Sequence, residues 1–360
     1  MSIRTARAEA AVARRLLSAV PMTTRRRSPL TLIIAGALGT SSTALAQSNP
    51  VPVQVDAGAD HSCLVTSCGS VLCWGRNDSR QSDDRFPASP NIFLPAPKYT
   101  QVSVGSRHTC ALNENGVISC WGRGFEGQTS VPVGFYQRVD AGGHRTCGIR
   151  TSGELACWGN TPSPPPGRYR DLSVGVNHAC AVTEDGFAVR CWGLNASGQA
   201  QQVTTTDLPN PGSFFDVEVG AIHTCARTGG GRFNRLYCWG SDSYGAVTGG
   251  RAVPVVNAPH VFQHGGAGYT QLSTGRWGTM AVDETTGRKL TWGWGWPFSG
   301  ASASPPSDAP KMIDAGSGHA CMITEGDQLR CWGSNSWGQI SQVPSLPRFC
   351  PIQFPPVPRL

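Results

Sequence analysis

Six pairs of cysteines recur along the 360-residue chain: Cys63 and Cys73, Cys110 and Cys120, Cys147 and Cys157, Cys180 and Cys191, Cys225 and Cys238, and Cys321 and Cys331. In five of the pairs a histidine stands two residues before the first cysteine, at His61, His108, His178, His223 and His319. Two chemistries fit His-x-Cys followed by Cys. Thiolates and imidazoles bind zinc, and paired thiols form disulfides in oxidising compartments. In the second copy a turn centred near Asn115 sets Cys110 opposite Cys120 on antiparallel strands. Directly opposed residues there lie about 4.5–5.5 Å apart, within disulfide reach. One further unit has Met280 and Thr291 in place of both cysteines, and joint loss is what a bonded pair predicts. Disulfides are therefore expected, and no metal.

Two cysteines are left over, Cys68 at a hairpin tip in the first unit and Cys350 after the last. If the units close a ring, the first and last are neighbours, and a Cys68–Cys350 bond locks the closure. No G-x-S-x-G, H-E-x-x-H or phosphate-binding glycine loop occurs. The acidic residues form no motif. No catalytic residue and no cofactor are expected, and the chain reads as a non-enzyme.

The elements that hold these residues are β-strands. Each unit runs from a short apolar strand through Gly, His-x-Cys and a turn to Cys-Trp-Gly. The seven Trp-Gly steps begin at Trp74, Trp121, Trp158, Trp192, Trp239, Trp292 and Trp332. Asn115-Gly116 and Asp185-Gly186 are hairpin turn signals, and alternating runs such as Gln101-Val-Ser-Val flank them. One such unit cannot bury its apolar face alone, so neighbours must pack together. The reading is all-β: a seven-bladed β-propeller with intrablade disulfides at residues 47–347, then a Pro-rich tail at 348–360 that helps close the ring. The tail stretch from Cys350 to Phe354 offers an outer strand.

Residues 1–46 read as a targeting segment. Arg25, Arg26 and Arg27 precede the apolar run Leu30–Leu38, and Ala44-Leu45-Ala46 forms a small-residue cleavage site before Gln47. Translation from Met22 gives a leader of ordinary length; whether residues 1–21 are translated stays open. Seven Arg and one Glu in this segment account for six of the seven net positive charges of the chain. The mature chain is near neutral, which removes the electrostatic basis for a nucleic-acid partner. No later stretch is apolar enough to span a bilayer. A monomeric, exported protein is expected, in the periplasm, the medium or at the cell surface.

The seven units resemble the regulator-of-chromosome-condensation repeat family, whose unit pairs Gly-x-x-His-Ser/Thr with Trp-Gly and then Asn-x-x-Gly-Gln, and in particular an exported, bacterial-type member. The full ending appears as Trp192-Gly193-Leu-Asn195-Ala-Ser-Gly198-Gln199 and as Trp332-Gly333-Ser-Asn335-Ser-Trp-Gly338-Gln339. A looser copy joins Trp121-Gly122 to Gly127-Gln128. The chain departs from the family in its paired cysteines, in Arg80-Gln81 where Gly-Gln stands elsewhere, and in a sixth unit without His. The resemblance implies a propeller whose members range from a guanine-nucleotide exchange factor on chromatin to an exported β-lactamase inhibitor that uses one ring face. The leader disfavours the exchange role.

The first expectation is a protein-binding scaffold, an inhibitor or adaptor, that contacts its partner through ring-face loops. The alternative is a propeller enzyme or lectin acting on carbohydrate or peptide at that face. Trp294, Trp296 and Phe298 beside Trp292, together with Trp337, are the candidate contacts; filling the space left by the missing disulfide is the competing explanation. The repeated histidines are expected to bond backbone within their own blades, and the repeated Trp to fill the core. Mass spectrometry of the exported protein should find an N-terminus at Gln47. An intact residue 1 would overturn the leader.

Overall fold

The computed structural model describes residues 49–83, 97–208, 212–229, 234–248, 256–262, 268–293, 305–346 and 350. The expected leader, Trp294, Trp296, Phe298 and the tail from residue 351 lie outside these residues.

Each Trp-Gly unit folds into one antiparallel sheet with its strands in chain order. Blade 1 is Pro52–Ala57, His61–Thr66 and Val71–Gly75. Blade 2 is Tyr99–Val104, His108–Asn113 and Ile118–Gly122, and blade 3 is Tyr136–Gly142, Arg145–Arg150 and Leu155–Gly159. Blade 4 is Tyr169–Val174, His178–Thr183 and Ala188–Gly193, with a short fourth strand Val203–Thr204. Blade 5 is Ser213–Val219, His223–Gly229 and Arg235–Gly240, with a fourth strand Val256–Phe262. Blade 6 is Tyr269–Thr274, Gly278–Asp283 and Lys289–Gly293, and blade 7 is Pro310–Ala315, His319–Thr324 and Leu329–Gly333. The fold is the expected all-β, seven-bladed propeller.

The first strand of each blade is innermost, because its C-terminal end lines a cavity at the ring axis. The second strand has neighbours on all sides, and in blade 1 all six of its residues are buried. This is why it reads as a short run of apolar and small residues without alternation. The core lies between blades. Cys63, Val65 and Cys73 of blade 1 pack on Tyr99, Val102 and Val104 of blade 2. Blade 7 packs on blade 1 through Cys321 and Ile323 against Val55, Leu64 and Trp74, which closes the ring.

The six paired cysteines bond as Cys63–Cys73, Cys110–Cys120, Cys147–Cys157, Cys180–Cys191, Cys225–Cys238 and Cys321–Cys331, with Cα separations of 4.0–4.1 Å. Each joins directly opposed residues of the second and third strands. In blade 6 the same register pairs Met280 with Thr291, and Met280 is fully buried. Cys68 is bonded to Cys350, a span of 282 residues from blade 1 to the chain beyond blade 7. No thiol is left to bind zinc.

The repeated polar residues meet at the seams. Contrary to the expectation of bonds within one blade, each imidazole reaches the next blade. His61 bonds Thr109 at 2.8 Å, His108 bonds Thr146 at 2.8 Å, His178 bonds Thr224 at 2.7 Å, and His223 bonds Thr279 at 2.9 Å. His319 bonds Ser62 at 2.6 Å across the closing seam. Four of these hydroxyls donate to a loop carbonyl of the preceding blade, on Gln81, Gln128, Gln199 and Ala246. A hydroxyl has one proton, so in these four pairs the imidazole must donate from Nε2. The indoles of Trp74, Trp158 and Trp292 donate to the carbonyls of Gln339, Gln128 and Ala246 in the same way. His, hydroxyl, Trp-Gly and the Gly-Gln ending are thus parts of one inter-blade bolt.

The two seams without a histidine also lack the hydroxyl: Arg145 faces the position of Ala179, and Gly278 that of Ala320. The glycine of Gly-x-x-His makes room for the ring, since a Cβ on Gly105 would lie 2.3 Å from Cε1 of His108. Every glycine of the Trp-Gly steps has φ between +89° and +116°, which excludes most other residues. A double-mutant cycle on His108→Ala and Thr146→Val should give a coupling of about 1 kcal/mol in unfolding free energy. Additive losses would place the two side chains out of contact.

Candidate functional site

The axial cavity is a well of about 100 Å³ formed by all seven innermost strands and the loops that follow them. Two residues back from the strand-ending glycine stand Asp56, Ser103, Asp140, Ser173, Glu218, Ser273 and Asp314, and all of these but Ser273 line the well. Most of these side chains latch one blade to the next. Asp56 accepts from the N–H of Val104 at 3.0 Å, Ser103 from Ala141 at 2.9 Å, Asp140 from Val174 at 2.5 Å, and Ser173 from Val219 at 3.0 Å. Ser273 donates to Asp314 at 3.1 Å, and Asp314 accepts from the N–H of Ala57 at 2.6 Å.

A second layer does the same two residues earlier. The Gln54 amide both donates to and accepts from the backbone of Val102, and Gln101 does so with Val139. Asp171 accepts from Val217 and pairs with Arg138 at 2.7 Å. These side chains replace the backbone ladder that adjacent blades do not share.

Glu218 alone of the axial carboxylates makes no such latch. Burial, with Asp314 and Asp140 nearby, pushes its carboxyl well above the ordinary range, and burial does the same to Asp56 with help from the same ring. Burial raises Asp140, and pushes Asp314 to about 6. The acidic residues, which showed no motif along the chain, therefore do converge. The register of the repeat was the available signal: only when units are aligned on their glycines do the four carboxylates fall at one position.

The register also assigns loops to faces. His61 pairs with Gly75, so each third strand ends beside the start of the second. The loops after Trp-Gly thus share a face with the mouth of the well. Phe125, Leu194 and Trp337 stand on this loop face, 91%, 50% and 45% exposed. Trp337, the described member of the expected contact set, lies under the Arg76 guanidinium of blade 1, 4.3 Å from its ring centre. Phe125 carries Arg123 at 5.5 Å and was not anticipated from the sequence. The opposite, hairpin-tip face exposes Val117, Val133, Phe135 and Phe187. Among the described residues no group of three or more His, Cys, Asp and Glu is placed to hold a metal ion, and no helix is long and apolar enough to cross a membrane.

These features define a disulfide-stapled β-propeller with a small axial well. The regulator of chromosome condensation (RCC1) repeat is matched at residues 53–81, 99–128, 169–199 and 313–339, the four units that end in Gln81, Gln128, Gln199 and Gln339. Four of the seven blades of this propeller thus carry the repeat. Its fold is similar to the entire ectodomain of the Physcomitrella patens receptor kinase CR4 (21% identity, 79% of this chain and 74% of that one, TM-score 0.60). It is similar to the CRINKLY WD40 ectodomain of the Arabidopsis thaliana receptor kinase ACR4 (18% identity, 81% and 98%, TM-score 0.59). It also resembles Prp20p from Saccharomyces cerevisiae (16% identity, 84% and 86%, TM-score 0.61). No curated protein matches the sequence.

The raised carboxyl of Glu218 sets a stability prediction. Its ionised form is penalised in the folded state, so stability is lost as pH rises through the folded value and regained below it. Glu218→Gln should raise the melting temperature at pH 8 and leave it unchanged at pH 5. A lower melting temperature at pH 8 would show that the carboxylate stabilises the ring.

Proposed function

We propose that the chain is an exported, non-enzymatic scaffold that binds another protein through its loop face. The observation that carries this reading is the trio Phe125, Leu194 and Trp337, large apolar side chains exposed on the face of a disulfide-stapled ring. Apolar and aromatic residues on rigid supports are the usual anchors of protein interfaces, because little ordering entropy is lost when they are covered. Arg76 and Arg123 over two of the rings add directional donors around the apolar surface. Export is supported by the leader-like residues 1–46 and by fourteen cysteines all in disulfides.

The axial carboxylates raise the enzyme alternative, which the well's chemistry does not favour. A pair of carboxylates working on a glycoside must flank the substrate and exchange protons with it. Here Asp56, Asp140 and Asp314 are engaged by backbone N–H groups of the next blade. Prp20p has binding properties toward Gsp1p and histones. A propeller of this kind can therefore serve protein recognition, though an identity of 16% carries only the fold across.

Cross-linking and affinity capture from the source organism's exported fraction should recover a protein. The double variant Phe125→Ala/Trp337→Ala should weaken its binding by at least about tenfold. Val133→Ser/Phe135→Ser, on the other face, should not. The reverse pattern would move the partner to the hairpin tips. A glycan-array signal abolished by Trp337→Ala would replace the reading with a lectin.

A further inference from the structure

Six of the seven disulfides belong to the repeat, and Cys68–Cys350 does not. It joins the hairpin tip of blade 1 to the chain beyond blade 7. Its surroundings differ as well. In each intrablade pair the second-strand cysteine (Cys63, Cys110, Cys147, Cys180, Cys225 or Cys321) is fully buried. Cys68 and Cys350 are both half-buried. A thiolate must reach a disulfide sulfur to attack it, so access decides which bond exchanges first.

The ring does not need this bond to close. Across the seam of blades 7 and 1, His319 bonds Ser62 at 2.6 Å and Asp314 accepts from the N–H of Ala57 at 2.6 Å. The N–H of Ser317 donates to the carbonyl of Gly58 at 3.1 Å, and the Trp74 indole to that of Gln339 at 2.8 Å. Val55, Leu64, Trp74, Cys321 and Ile323 fill the same seam. What depends on the bond is the chain that follows Gln339. Gln339 is fixed near the loop face by Trp74, and Cys350 is fixed at the hairpin-tip face by Cys68. The N–H groups of Ser341 and Gln342 turn back to the carbonyl of Gly338. From Val343 to Leu346 the chain makes no hydrogen bond among the described residues, and Pro344 has no N–H to offer. Val343 and Leu346 pack, partly buried, on the closing-seam cluster. Two apolar side chains and one covalent bond therefore hold a strap across the seam.

We propose that Cys68–Cys350 is a redox-operated latch: an external dithiol reductant opens it, Val343 and Leu346 lift off the seam, and the seven-bladed ring stays closed. The reductant's thiolate attacks one of the two sulfurs, forming a mixed disulfide and expelling the other cysteine as a thiolate, which takes up a proton. The reductant's second thiol loses its proton and attacks the reductant sulfur of the mixed disulfide, and the remaining cysteine leaves and is protonated in turn. Two electrons pass to the protein, which gains two thiols, and the reductant becomes a disulfide. Opening bares the part of the closing-seam cluster that Val343 and Leu346 cover, a surface that the loop-face reading does not use.

The test exposes the full chain to graded dithiothreitol, quenches by alkylation and maps the labelled cysteines. Cys68 and Cys350 should be labelled at least about tenfold faster than any other cysteine. At that stage the methyl resonances of Val343 and Leu346 should move to the positions of exposed side chains, while those of Val55 and Leu64 keep their folded positions. Oxidised glutathione should restore the first pair. Cys68→Ser/Cys350→Ser should show the shifted Val343 and Leu346 resonances without any reductant, and the unreduced Val55 and Leu64 resonances report that it has folded. An intrablade pair reduced with or before Cys68–Cys350 would overturn the proposal. So would Val343 and Leu346 resonances that stay in place after the bond is cut, since the bond would then be a passive staple. Loss of the folded Val55 and Leu64 resonances on its reduction would overturn it too, since the ring would then open with the latch.

Discussion

Blades of a propeller share no backbone ladder, so something else must join seven separate sheets into one object. In this chain it is a set of buried side-chain bonds across each seam. Near the loop face a buried imidazole bonds a hydroxyl of the next blade, and in four cases the imidazole donates and that hydroxyl donates onward to a loop carbonyl. Near the axis, carboxylates, serines and glutamines seize the backbone of the neighbouring innermost strand. Such bonds are worth little individually in net stability but are costly to leave unmade, which fixes the register of each blade on the next. The disulfides act on a different level: six staple strands within blades, and Cys68–Cys350 limits how far the first and last units can part.

The same arrangement sets two opposed responses to acid. Burial holds His61 and His178 at about 3 and His108, His223 and His319 at about 4, below the ordinary value near 6.5. The unfolded chain therefore takes up these protons first, and the histidine contribution to stability falls as pH drops below 6.5. The axial carboxylates are raised instead, so their protonation favours the folded ring over part of the same range. The seams are thus best satisfied when imidazoles are neutral and the axial charges are few or compensated, which is why an unmatched carboxylate such as Glu218 stands out.

Much of this was legible in the sequence. Seven Trp-Gly steps and paired cysteines at one register are periodic, and periodicity survives without three-dimensional knowledge. The joint absence of both cysteines from blade 6 pointed to their pairing before any coordinates. The repeated histidines were legible as structural, but their partners were assigned to the wrong blade. A partner 38 to 56 residues away, in the next unit, leaves no local pattern, although the paired loss of His and hydroxyl at Arg145/Ala179 and at Gly278/Ala320 encoded it. The axial carboxylates were hidden for a related reason, since each is separated from the next by a full unit. The exposed Phe125 had no signal, because a single apolar residue in a polar loop reads the same whether it is covered or bare.

Histidine side-chain nitrogen NMR of the protein, followed from pH 8 to pH 5, tests the bolted-seam account most directly. The account predicts that His61, His108, His178 and His223 are neutral Nε2–H tautomers with bare Nδ1, and that none of the five seam histidines, His319 included, gains a proton above pH 5. Seam imidazoles that titrate near pH 6.5, or that carry the proton on Nδ1, would contradict it and leave the ring to be held by packing and disulfides alone.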